Sequence, residues 1–204
     1  MFKRTDNPGD VDTSGMTQYE KAVSNNWYIY AADPSLGKRI GEVLHALDEL
    51  NDLSKQADDD LAFNKLRELV PGIDKTCSIV FPIKIEYPEQ FEVGASTFIN
   101  NNFENCSSGY IKIGKNCFIG PHARFYTPNH HPHDVNLRRE GWQYDAPITI
   151  GDDVWFGGSV VVCPGVTMGS NVVVAAGAVV TKDVPDGVLV AGNPARIVKT
   201  LLKI

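Results

Sequence analysis

The chain has no surplus of basic residues, no apolar run of membrane-spanning length and no closely spaced cysteine pair. Its formal net charge of -6 argues against nucleic acid as the main partner. Its most apolar run, Val172 to Val180, covers nine residues and contains Gly177. A bilayer-spanning helix needs about 20 such residues, so no membrane partner is expected. The opening stretch, MFKRTDNPGDVDTSG, lacks the apolar segment of a signal peptide. The four cysteines, Cys77, Cys106, Cys117 and Cys163, stand far apart. That spacing offers no disulfide frame and predicts a reduced, cytoplasmic protein. With 204 residues and 43% hydrophobic content, the chain can form one domain with an added element, or two small ones.

What the chain does have is a short repeat. Ile150, Phe156, Val162, Met168, Val174 and Val180 recur at every sixth position. Ile148, Val154, Val160, Val166, Val172 and Ala178 form a second series at the same spacing. Gly151, Gly157, Gly169 and Ala175 follow members of the first series. A helix repeats its apolar face at three and four, and a half-buried strand alternates at two. A fixed period of six is read first as a repeat architecture. It predicts a triangular prism: each hexapeptide forms one flat side, and coils stack at strand spacing, about 4.8 Å. The large apolar residue points inward, and the small residue after it turns the corner where a bulky Cβ would clash. Ile113, Ile119 and Phe125 extend the repeat upstream, with Ile111, Cys117 and Ala123 two residues before each. Cys117 is therefore expected to pack as a small hydrophobe. Val93 and Ile99 form an earlier, weaker pair.

The remaining chain divides around this prism. Residues 1–16 are polar, carry Pro8, Gly9 and Gly15, and read as a loose tail. Residues 17–75 read as helical. Thr17 with Glu20 forms a capping-box pattern. Ile40, Val43, Leu44, Leu47 and Leu50 share one helical face. Leu61, Leu66 and Leu69 follow an acidic first turn, and Pro71 and Gly72 stop the helix. Residues 76–204 read as the prism, interrupted at 126–147. That polar, charged segment carries His130, His131 and His133. A loop thrown out from a rigid scaffold is a natural place for function. A neutral imidazole is available near neutral pH and supplies about 10²–10⁴-fold of rate as a general base. His122, His130, His131 and His133 also invite a zinc reading, although their spacing is not that of ligands fixed on rigid strands.

Three segments carry a family resemblance. They are YEKAVSNNWYIYAADPSLGKR, the His-Pro, five residues, Arg motif in HPHDVNLR, and the ending GAVVTKDVPDGVLVAGNPARIVK. The chain resembles the maltose, galactoside and nodulation-factor O-acetyltransferases, within the hexapeptide-repeat acyltransferase superfamily, over roughly residues 17–204. The resemblance implies a mainly β fold, a left-handed parallel β-helix with an N-terminal helical segment. This is an exception to the usual right-handed crossover. It also implies a homotrimer with active sites between neighbouring prisms, acetyl-CoA as donor, a sugar-like hydroxyl as acceptor, and no metal.

Site residues carry over by position. The His-Pro motif, sixteen residues before Pro147, makes His131 the base. Counting from Pro121 points to His130, the second candidate. Gly158 matches the position whose backbone N–H faces the thioester oxygen and stabilises the oxyanion. Arg39, Asn100 and Trp155 match acceptor-side positions. Ala176, Thr181 and Lys182 match the turn lining CoA, and Arg196 and Lys199 the basic residues near its phosphates. Without the motif context, the three basic residues read as surface charge and Trp155 as a rim residue. The chain departs from the family at two acceptor-side carboxylates: Ile29 stands near one, Ser107 and Ser108 near the other. Maltose and galactoside are therefore not assumed as acceptors. Two rival functions remain on the same fold, a zinc-dependent hydratase and a non-catalytic trimeric module.

Overall fold

A computed structural model describes residues 6–56 and 58–201. The first five residues of the tail and the last three of the prism lie outside the described residues. From residue 78 onward the chain winds as a parallel β-helix with three flat faces. Both hexapeptide series point inward, and every member is at most 2% exposed. One face stacks the strands Ser78–Ile79, Phe98–Ile99, Phe118–Ile119, Trp155–Phe156, Val173–Val174 and Val188–Ala191 in parallel. The second stacks Ile83–Ile85, Phe103–Cys106, Arg124–Tyr126, Val161–Val162 and Val179–Val180. The third stacks Phe91–Val93, Ile111–Ile113, Ile148–Ile150 and Thr167–Met168.

Coil length explains why the repeat is clear only in the second half. Trp155 pairs with Val173 and Val161 with Val179, each three hexapeptides on. In the first half Phe98 pairs with Phe118 and Phe91 with Ile111, two residues more than three hexapeptides. The extra residues fall at corners and break the arithmetic without moving the inward residues. At the corners Asn102, Asn116, His122, Asp153, Ser159 and Asn171 hold left-handed backbone conformations. Asparagine and aspartate tolerate this region better than bulkier residues. Gly157 marks a tighter constraint: a Cβ there would lie 2.6 Å from the Ala176 backbone nitrogen.

Inside the prism, Phe91, Phe103, Phe125 and Phe156 form a column, with ring centroids 5.6, 5.4 and 5.6 Å apart. Such spacing suits offset and edge-to-face contact. Cys117 is fully buried among these coils, as its place in the repeat predicts.

Helix α1 spans Gln18–Val23, and both halves of the Thr17–Glu20 capping box are present. Helix α2, Pro34–Lys55, starts at Asp33, whose side chain accepts from Ser35 N–H at 3.0 Å. It buries Leu36, Leu47 and Leu50. Asn51 ties it to the prism by two bonds, donating to Ile83 O at 3.2 Å and accepting from Ile83 N–H at 3.0 Å. Helix α3, Asp59–Leu69, differs from its expected face. Leu61 is 40% exposed, while Ala62 and Leu66 are fully buried. The i, i+4 pair Ala62 and Leu66, continued by Val70, sets the inward stripe.

Candidate active site

The interruption at 126–147 folds into a small antiparallel sheet outside the prism. Strand Trp142–Asp145 lies in the middle, between Tyr28–Ile29 and Pro128–His130. The register pairs Tyr28 with Gln143 and Gln143 with His130. Paired residues project to one face, and neighbours in sequence to the other. Tyr28, Gln143, Asp145 and His130 therefore share one face. Trp27, Tyr144 and His131 gather on the other, with Trp27 4.6 Å from Tyr144 and 5.4 Å from His131 between ring centroids.

The two adjacent histidines thus have different surroundings. His131 is 8% exposed. Its Nδ1 accepts from Asp134 N–H at 2.8 Å, so the ring proton is on Nε2, which donates to Asn7 Oδ1 at 3.0 Å. Neither nitrogen offers a free lone pair. The Arg138 guanidinium donates to the carbonyls of His131 and Pro132, at 2.9 and 3.1 Å, which accounts for the Arg of the motif. His130 is exposed, and its Nδ1 lies 3.2 Å from the Trp142 carbonyl. A carbonyl only accepts, so Nδ1 carries the proton and Nε2 presents its lone pair outward. The two candidates therefore differ in geometry: His130, the residue reached by counting from Pro121, keeps one ring nitrogen open, whereas both nitrogens of His131, the residue of the His-Pro motif, are engaged. Asp134 caps the short helix α4, Val135–Arg139, through Asn136 and Leu137 N–H. Those two bonds hold its carboxyl below the usual carboxylate range.

The other candidates divide between edges of the prism. Gly158 lies at the corner after Trp155–Phe156, with Pro121 below it and Ala176 above, joined by Ser159 N–H to Pro121 O and Gly177 N–H to Gly158 O. The Gly158 N–H has no partner among the described residues. A Cβ there would meet Pro121 first, at 3.5 Å, an ordinary contact, so one chain alone does not require glycine. Asn100 occupies the same edge two coils lower, and its Oδ1 accepts from Asn101 N–H at 2.8 Å. Trp155 projects from the adjoining face and is 58% exposed, as is Phe118 beside it in register. The histidine loop leaves from a different edge, after Arg124–Tyr126, so His130 and Gly158 do not meet within one chain.

Thr181 and Lys182 occupy the loop's edge two coils on. Lys182 and Arg196 border one recess of about 300 Å³, while Lys199 lies along the exposed strand Arg196–Thr200. Arg39 is committed elsewhere. It donates to Glu89 at 2.7 Å and covers the Tyr19 ring at 4.8 Å from its centroid. Burial raises the Glu89 carboxyl, but bonds from backbone, Tyr19 and Arg39 outweigh it and leave Glu89 below its ordinary range. His122 turns a corner on the Gly158 edge, away from the loop histidines. Among the described residues no group of three or more His, Cys, Asp or Glu could hold a metal ion.

Comparison with known proteins gives the chemistry. A family model described as the hexapeptide repeat of succinyl-transferase matches residues 110–123 and 147–182. A Saccharomyces cerevisiae protein named as an acetyltransferase is 37% identical over 182 residues, 89% of this chain and 92% of its own length. The chain belongs to the hexapeptide-repeat acetyltransferases. A maltose O-acetyltransferase from Clostridium difficile 630 superposes with a TM-score of 0.86 at 34% identity, covering 92% of this chain and 99% of the other. An acetyltransferase from Vibrio cholerae solved with acetyl coenzyme A superposes at 0.79, also at 34% identity, covering 92% of this chain and all of the other. No helix among the described residues of this acetyltransferase is long and apolar enough to cross a membrane.

Sequence reasoning missed Asp145 and Gln143. Asp145 is 1% exposed, and both of its oxygens are occupied. Oδ1 accepts from Ser108 N–H at 3.2 Å and from Thr127 Oγ1. Oδ2 accepts from Ser108 Oγ at 2.6 Å and Tyr28 OH at 2.9 Å. Gln143 Nε2 donates to Tyr28 OH. Burial and the neighbouring Asp145 hold the Tyr28 phenol far above its ordinary range, so it stays a donor. Only the strand register joins these residues, and no single-sequence spacing reports it.

Proposed function

We propose that the protein transfers acetyl from acetyl-CoA to a hydroxyl of a sugar-like acceptor, with His130 as general base. The observation that carries this reading is the outward Nε2 lone pair of His130, fixed by the Trp142 carbonyl. The acceptor oxygen attacks the thioester carbonyl carbon as Nε2 takes its proton. The thioester oxygen becomes an oxyanion and is met by the Gly158 N–H of a neighbouring chain. Collapse re-forms the carbonyl and breaks the carbon–sulfur bond. The thiolate leaves and takes the proton from the His130 imidazolium. His131, held by Trp27, Asn7 and Arg138, anchors the strand end that carries His130.

The assembly is read as a homotrimer, as the family resemblance implies; the placement of the base and the oxyanion donor on different edges of one prism calls for a second chain at each site. The exposed aromatic pair Phe118 and Trp155 gives a second copy an apolar face to cover. Ala176, Thr181, Lys182, Arg196 and Lys199 are assigned to CoA. Four free thiols suit a reducing cytoplasm. Of the carried-over acceptor positions, Arg39 is paired with Glu89 and Asn100 engages its Oδ1 with Asn101 N–H, so the face that carries Gln143 and His130 is assigned to the acceptor beside them.

Thiol release from acetyl-CoA across a panel of mono- and disaccharides, nucleotide sugars and simple alcohols tests the reaction. Acceptor-dependent release is expected; its absence across the panel, with no CoA binding, would sink the reading. Arg196→Ala should weaken CoA binding by about tenfold, since a charge-assisted bond contributes about 1.5–3 kcal/mol before solvent exposure is discounted. Titration calorimetry at low and raised salt checks this, and the difference should shrink as salt screens the phosphate.

A further inference from the structure

Asp145 is a carboxylate almost wholly out of water, and its four donors, Tyr28 OH, Ser108 N–H, Ser108 Oγ and Thr127 Oγ1, are all neutral. Burying such a group is costly, and an apolar or hydroxyl side chain would make a cheaper foot for this loop. The donors come from three separate elements: the N-terminal strand, the corner at 107–109 and the foot of the histidine loop. All aim at the carboxylate, an arrangement that suits an acceptor-only group. A carboxamide would turn an N–H₂ toward two of them.

The consequence travels across the small sheet. Asp145 fixes the Tyr28 phenol, Tyr28 accepts from Gln143, and Gln143 is the cross-strand partner of His130. The strand that carries Asp145 also supplies the Trp142 carbonyl that sets the His130 proton. Beside this cluster, Ser107 Oγ is buried with no hydrogen-bond partner among the described residues. An unmatched buried hydroxyl is unfavourable by about 1–3 kcal/mol.

We propose that Asp145 is the positioning residue of the acceptor half of the site, holding Tyr28, Gln143 and the His130 strand in one geometry. The proposal rests on the reading of His130 as base and of a hydroxyl-bearing acceptor. Asp145 touches neither the donor nor the reacting atoms. Its effect falls on acceptor use and leaves the CoA end alone.

The test compares the wild type, Asp145→Asn, Asp145→Ser and the double variant Ser108→Asp, Asp145→Ser, which moves the carboxylate to its neighbour. Acceptor kcat and KM are measured separately, with CoA dissociation constants and melting curves alongside. Asp145→Asn is expected to lower acceptor kcat/KM on the order of tenfold to a hundredfold, the scale of a misplaced reactive group. CoA affinity should stay within about twofold, since the groups assigned to its phosphates lie elsewhere. The double variant should recover acceptor kcat/KM relative to Asp145→Ser. Wild-type kinetics in Asp145→Asn would overturn the proposal. So would equal loss of CoA binding and thermal stability without recovery in the double variant, which would make Asp145 a scaffold residue only. Full activity in His130→Ala would overturn the assignment of the base, a separate result from any kinetic change at Asp145.

Discussion

His130→Ala should lower acceptor-dependent thiol release by about 10²–10⁴-fold, the usual contribution of a positioned general base. His131→Ala should leave more activity and lose stability instead. The reason is the direction of each ring. His130 gives its Nδ1 proton to a main-chain carbonyl and keeps Nε2 open, whereas His131 accepts from Asp134 N–H and has its other nitrogen turned to Asn7. Removing the His131 ring also removes its contact with Trp27, worth about 1 kcal/mol beyond the area it buries. The check is steady-state kinetics for both variants at saturating acetyl-CoA, with CoA affinity measured beside them. Loss in His131→Ala alone, with unchanged melting, would reverse the assignment.

Phe125→Ala should destabilise the protein by about 3–5 kcal/mol, the range for deleting a fully buried aromatic ring. Phe125 is 0% exposed and contacts Phe103 below and Phe156 above, at 5.4 and 5.6 Å between centroids. The strand backbones around it are pinned by ladder bonds on both sides, so the prism cannot collapse into the space. Phe125 is also the last inward residue before the histidine loop, and the coil it closes carries the foot of that loop. Chemical denaturation should therefore show a lower midpoint with little change in slope. A loss below about 1 kcal/mol would mean that the coils repack more freely than a close-packed core allows.

The prism was legible because its signal is local. An inward Val, Ile, Met or Phe every sixth residue follows from the width of one face, and the twelve positions of the two series are all buried. The earlier coils were harder to see because each carries two further residues at its corners, which leave the inward residues in place and shift the count. The histidine pair shows the limit more sharply. Both motif distances were correct as distances, yet they disagreed by one residue, and one residue in a strand exchanges the two faces of a sheet. The pairing of Gln143 with His130 and Tyr28 puts the two histidines on opposite faces, and its Tyr28 half arises from a contact spanning more than a hundred residues. Asp145 was invisible for the same reason. Its four donors come from positions 28, 108 and 127, which no periodicity connects.

The placement of His130 and Gly158 on different edges has a consequence for mixed populations of chains. If each reaction centre draws its proton acceptor from one chain and its oxyanion donor from the next, neither function belongs to a single polypeptide. His130→Ala spoils one half and Gly158→Pro, which deletes the N–H, spoils the other. Each variant alone should be nearly inactive. Co-expressed, they should recover part of the wild-type rate, because some boundaries pair an intact loop with an intact corner. Chains carrying both substitutions would rescue nothing. An allele of either kind would then behave as a partial complement to the other, and inheritance would report the geometry of the cleft.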